Sequence, residues 1–174
     1  MDDLRDHIRS EEGGLEHLMR KIPGFAGYKD REQRRQADQI QRTFIADALS
    51  RERDRLTDVG KVLMAHGGLA LLTDIDRVSG LFDKVADRVR HATHGYSGFF
   101  DAVRIVEADL DRVYEYDLSM LQELSAVSEA ITALGAAAEA GGSEAGQRLR
   151  AVEGYAKSLD QKIDNRTRVM MGVS

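Results

Sequence analysis

Apolar side chains recur alternately four and three residues apart from Leu71 through Ile75, Val78, Phe82, Val85, Val89, Ala92, Tyr96, Phe99, Val103, Val106, Leu110, Val113, Met120, Leu124, Val127 and Ile131 to Leu134, and the one polar residue in phase is Asp117. An average spacing of about 3.5 residues puts all of them on one helical stripe, and such a stripe leaves water only by meeting another helix. The pattern predicts an all-α protein held together by helix-on-helix packing.

Shorter patterns flank this seam. A first helix is expected over 4–20, with Leu4, Ile8, Leu15, Leu18 and Ile22 on its apolar side, Gly13-Gly14 weakening its middle, and Pro23 beyond its end. Ile22-Pro23-Gly24-Phe25 has proline and glycine where a type II turn wants them. With Tyr28, this loop offers two aromatics, and its expected role is a hydrophobic plug over the end of a bundle; the alternative is an interaction loop for a partner. A second helix starts near Asp30, which caps it with Gln33 answering three residues later. Its stripe reads Ala37, Ile40, Phe44, Ile45, Ala48, Leu49, Leu56, Val59 and Leu63, and it ends at Gly67-Gly68. Glu52, in the charged run 50–55, occupies a seam position and predicts a solvated or salt-bridged layer.

Two readings meet at His94-Gly95-Tyr96-Ser97-Gly98. Glycines around a serine signal a turn, yet Tyr96 and Phe99 keep the seam in phase. A turn yields an antiparallel up-down four-helix bundle with a short extra N-terminal helix. A continuous helix of roughly 65 residues yields a long helical-hairpin coiled coil that needs a second copy to complete its core. The turn hides more apolar surface within one chain and is the favoured reading. Gly141-Gly142-Ser143 then ends one helix and starts the last, whose rhythm is Leu149, Val152, Ala156, Leu159, Ile163, Arg166, Met170 and Val173. Asp117 and Arg166 lie equally far on either side of Gly141-Gly142, so an antiparallel hairpin brings them level as a seam ion pair that fixes register. The chain thus divides into an N-terminal amphipathic helix and Pro-Gly turn over 1–28 and a long-helix bundle with a single core over 29–174.

Composition narrows the function classes. The hydrophobic fraction of 42% and charged fraction of 32% suit a soluble amphipathic helical protein. Net charge is −5, with local balances of −2 over 1–28, +2 over 29–61, −7 over 62–140 and +2 over 141–174. An acidic central segment between mildly basic flanks is expected to favour folding back of the flanks along it. No concentrated basic face points to nucleic acid. The absence of cysteine removes disulfides, thiolate metal sites and thiol nucleophiles, and fits a cytoplasmic protein.

Candidate chemistry is sparse. Asp87, His91 and His94 share one helix face and form a weak metal-ligand set, but the seam register turns them outward. Glu107, Asp111 and Glu115 read as an exposed acidic ladder, and Arg31, Arg34 and Arg35 are diluted by Asp30 and Glu32. No Glu-x-x-His, phosphate loop, dinucleotide fingerprint or nucleophile elbow occurs. The expectation is a non-enzymatic helical interaction or scaffold protein without a cofactor, associating with itself or another helical protein through its seam. The alternative is a peripheral membrane protein using its N-terminal helix, which the net negative charge of 1–28 disfavours on anionic lipid. A metal-binding four-helix bundle is the third reading.

Overall fold

Every regular element among the described residues is helical, as the 3.5-residue rhythm requires. The computed structural model describes residues 16–27, 34–92, 107–141 and 144–170. A helical stretch over 16–21, here α1, precedes four long helices: α2 Arg34–Ala65, α3 Leu72–His91, α4 Glu107–Glu139 and α5 Ala145–Met170. A single 3-10 turn, Leu69–Leu71, leads into α3. The expected caps at Asp30 and Ser143, and the ambiguous segment 94–98, lie outside the described residues.

Glycine sets two of the observed stops. At the end of α2, Gly67 adopts φ +83° and the Gly68 amide donates to Leu63 O at 2.7 Å, closing the helix in the left-handed manner that glycine alone adopts without strain. In the Pro-Gly turn, Phe25 N donates to Ile22 O at 3.2 Å and Gly24 has φ +79°, the backbone of a type II turn.

Side-chain pairs between helices fix their directions. Asp47 meets Arg90, and Arg53 meets Asp83, so α2 and α3 are antiparallel. Asp117 meets Arg166 and Glu123 meets Lys162, so α4 and α5 are antiparallel too. Between the two hairpins the pairing is parallel: Gln41 bonds Asp117 and Arg55 bonds Thr132 from α2 to α4, while Arg77 bonds Glu153 and Arg88 bonds Asp164 from α3 to α5. Hence α3 and α4 run in opposite directions and are not two parts of one straight rod, which corrects the continuous-helix reading. The packed neighbours are α2 with α3 and α4, and α5 with α3 and α4. Helices that follow one another in sequence are neighbours within each hairpin, whereas α3 and α4 sit diagonally.

The seam side chains meet each other inside. Ile75, Val78, Phe82, Val85 and Val89 of α3 join Met120, Leu124, Val127, Ile131 and Leu134 of α4, and Leu149, Val152, Ala156, Leu159 and Ile163 of α5, in one continuous core with Ile45, Leu49, Leu56 and Leu63 of α2. A second cluster closes the end of the molecule where α2 begins. There Leu18, Ile22 and Phe25 pack with Ala37, Val113, Tyr114, Val169 and Met170. No helix among the described residues is long and apolar enough to cross a membrane.

Segment charge is a poor guide to pairing here. The net acidity of 62–140 and the basic balance of 141–174 predict acids on the central helices facing bases on the last. Glu123 with Lys162 follows that rule. Along α3 and α5 it is reversed: Arg77, Lys84 and Arg88 of the acidic segment face Glu153, Asp160 and Asp164 of the basic one. Only residues at the edges of a helix contact determine the pairing, and a segment total averages them with residues that face solvent.

Candidate functional site

The two apolar clusters are separated by a buried polar layer to which all four long helices contribute. Asp38, Gln41 and Arg42 come from successive turns of α2, Asp117 from α4 and Arg166 from α5, and none is more than 5% exposed. Arg166 Nε donates to Asp117 Oδ1 at 2.6 Å, and Gln41 Nε2 donates to the same oxygen at 3.0 Å. On the other side, Arg166 Nη2 lies 3.1 Å from Asp38 Oδ1, an ion pair in distance without hydrogen-bond alignment. Arg42 Nε donates to Asp38 Oδ2 at 2.7 Å, and its Nη1 reaches the last turn of α3 at Arg90 O, 2.9 Å away. Placing a cation at the C-terminus of α3 also suits the helix dipole.

The layer is charge-balanced, with two carboxylates and two guanidinium groups. In such a network the attraction between partners offsets much of the desolvation of each, so its net contribution to stability is expected to be small while the loss of a single partner is costly. The nearby cavity, lined by Gln41, Arg42, Val89, Ala92, Met120, Ile163 and Arg166, measures about 10 Å³, room for roughly one water molecule and not for a substrate.

Sequence reasoning singled out Asp117 and Arg166 and missed the three α2 residues. A signal for two of them exists. Stepping back from Leu63 by four and three through Val59, Leu56, Glu52, Leu49 and Ile45 lands on Arg42 and then Asp38, in phase with the core. Ala37 and Ile40 offer a competing apolar stripe there that is out of this phase. Glu52, the other polar residue in this phase, is held by Arg55 at 2.7 Å, and Arg55 also donates to Ser128 and Thr132 of α4.

The remaining candidates are dispersed. Asp87 is exposed and lies 3.6 Å from Arg90 Nη1; the ring of His91 is engaged by its own helix at Asp87 O, 2.9 Å away; His94 falls outside the described residues. Among the described residues no group of three or more His, Cys, Asp or Glu is arranged to hold a metal ion. In the Pro-Gly loop, Ile22 and Phe25 are buried in the end cluster while Pro23 and Gly24 are exposed, and Tyr28 lies outside the described residues. Of the acidic ladder, Asp111 is half-buried and Glu115 exposed.

Two surface features complete the site inventory. Along α3 and α5, Glu153 accepts from Arg77 Nη1 and Nη2, at 2.6 and 3.0 Å, and pairs with Lys157 at 2.6 Å. The Arg77 hydrogen bonds, followed by the Lys157 bond, hold the Glu153 carboxyl down at about 2, well below the usual range. On another face, α2 and α4 leave a groove of about 350 Å³ lined by Phe44, Ala48, Leu121 and Leu124, with Gln122, Ser125, His17 and Lys21 at its edges. Its two long walls run parallel, and half of its lining residues are apolar. Comparison with protein-family models, with curated proteins and with solved structures finds no match to this chain.

Proposed function

We propose that the chain is a non-enzymatic helical interaction or scaffold domain, read as a four-helix bundle with an N-terminal segment at one end, that associates with a second copy of itself in the cytoplasm. The observation that carries this reading is the α2/α4 groove. Phe44, Ala48, Leu121 and Leu124 offer apolar surface between two parallel helices, bordered by His17 and Lys21 of α1. The seam side chains serve the molecule's own core, so association uses this outer groove and not the seam itself. The buried ionisable residues favour the same reading, because they neutralise one another across helices beside a cavity of about 10 Å³.

The test is the mass of the full chain in solution by light scattering over a wide concentration range. Self-association raises the mass above the 19.3 kDa of one chain as concentration increases. Ala48→Arg fills the groove with a long charged side chain and is expected to return the mass to one chain without loss of helical circular dichroism. A mass that stays at one chain throughout rejects self-association.

A further inference from the structure

We infer that the cavity beside the buried layer is a binding site for a single structural water molecule, which donates to Gln41 Oε1 and joins α2 to the last turn of α3. The inference is independent of the self-association reading.

An amide whose direction is forced is the first support. Gln41 is fully buried, and its Nε2 donates to Asp117 Oδ1 at 3.0 Å. A carboxylate paired with the Arg166 guanidinium only accepts, so the NH2 end of the amide has to face it and the carbonyl end has to face elsewhere. That carbonyl oxygen, Oε1, is buried and accepts no hydrogen bond from any described residue. Gln41 borders the cavity and Asp117 does not, so Oε1 is the end turned toward it. A buried acceptor of this kind costs stability unless a donor reaches it.

Size and the other lining groups select the ligand. A volume of about 10 Å³ is close to the least that holds one water. Arg42 and Val89 line the same cavity, and Arg42 Nη1 stands 3.4 Å from Val89 O, at the long edge of hydrogen-bond range. Val89 belongs to the last turn of α3, where carbonyls have no partner within the helix. A water in this position accepts from Arg42 and donates to Gln41 Oε1 and to Val89 O, which gives it the three bonds typical of a buried water. Other small ligands suit the site less. The guanidinium groups of Arg42 and Arg166 repel a cation. A halide is larger than water and would face the Gln41 carbonyl oxygen. It would also add a negative charge to a layer whose two carboxylates already balance its two arginines.

The test is a high-resolution crystal structure of the full chain, together with relaxation dispersion of the solvent oxygen nucleus, which counts long-lived internal waters. The expected result is one density peak within hydrogen-bond distance of both Gln41 Oε1 and Arg42 Nη1. In solution, Gln41→Leu removes the acceptor and Val89→Ile extends a lining side chain into the space. Each variant should lose that water's contribution to the dispersion while keeping its helical circular dichroism. Should either variant unfold, the structure of the parent decides by itself. A cavity without density, a peak out of reach of Oε1, or dispersion unchanged in both variants overturns the inference. An anomalous signal in the cavity after a bromide soak also overturns it, by assigning the site to an anion.

Discussion

Two ion networks tie the hairpins together, one buried and one at the surface, and the same residue chemistry has different consequences in each. In the layer of Asp38, Arg42, Asp117 and Arg166, no side chain is more than 6% exposed, so removal of one partner leaves another charge without water to receive it. In the α3/α5 ladder of Arg77, Glu153, Arg88 and Asp164, Arg77 and Asp164 are about half exposed, and water replaces a lost partner. The buried layer brings Asp38 and Gln41 of α2, Asp117 of α4 and Arg166 of α5 to one level, so sliding any of these helices is expected to strand a buried charge. The ladder biases which helices lie side by side and tolerates rearrangement.

The largest effect should come from breaking the buried layer. Arg166→Met keeps the apolar contacts of the stem but strands Asp117 between Gln41 and an absent cation, and a loss of about 3–5 kcal/mol is expected. Urea unfolding reads this as a lower midpoint at unchanged slope. A midpoint within error of the parent would place these charges in water after all. An intermediate effect of opposite sign is expected when Asp38, Gln41, Arg42, Asp117 and Arg166 are all replaced by Leu. With no charge left to strand, stability should be equal or higher by about 1–4 kcal/mol, while the exchange protection of amides near the layer should fall as alternative registers become accessible. Full retention of that protection would deny the layer its role in register.

The smallest effect belongs to the ladder. Glu153→Gln should destabilise several-fold less than Arg166→Met, and the difference from the parent should shrink further in high salt. Its pH dependence has a definite sign. The folded Glu153 carboxyl is held at about 2, below its ordinary value of 4.5, so its ionised form contributes stability that is complete above 4.5 and is lost as pH falls toward 2. The parent and Glu153→Gln midpoints should therefore converge over that acid window. Curves that remain parallel down to pH 2 would count against the Arg77 bond.

Much of the helix inventory is legible because burial and periodicity express one requirement. Leu71 to Leu134 in steps of four and three are apolar because each faces a neighbour, and the described members from Ile75 to Val89 and from Val113 to Leu134 are buried, Asp117 included. The stops at Gly67-Gly68 and Ile22-Pro23-Gly24-Phe25 are also legible, since left-handed backbone has a strong residue preference. Asp38 and Arg42 were not, because hydrophobicity at Ala37 and Ile40 competed with phase at the start of α2, and Gln41, off that phase, joins the layer only through its bond to Asp117. The pairing of α3 with α5 was hidden for another reason: its charges are drowned in the totals of their segments.

Helicity, the helix faces that leave water, and the equal spacing of Asp117 and Arg166 from the last turn are all readable from the order of residues. Local rules suffice for these, because a 3.5-residue stripe, a Pro-Gly pair and a symmetric spacing are properties of a few neighbouring residues. Tertiary structure alone decided that the hairpins lie with like directions adjacent, that α3 contacts α5 and only faces α4 diagonally, and that three α2 side chains complete the buried layer. An apolar stripe is satisfied by any apolar neighbour, so the choice among partners falls to the few charges and small residues at the contact edges, whose positions become definite only when the helices meet.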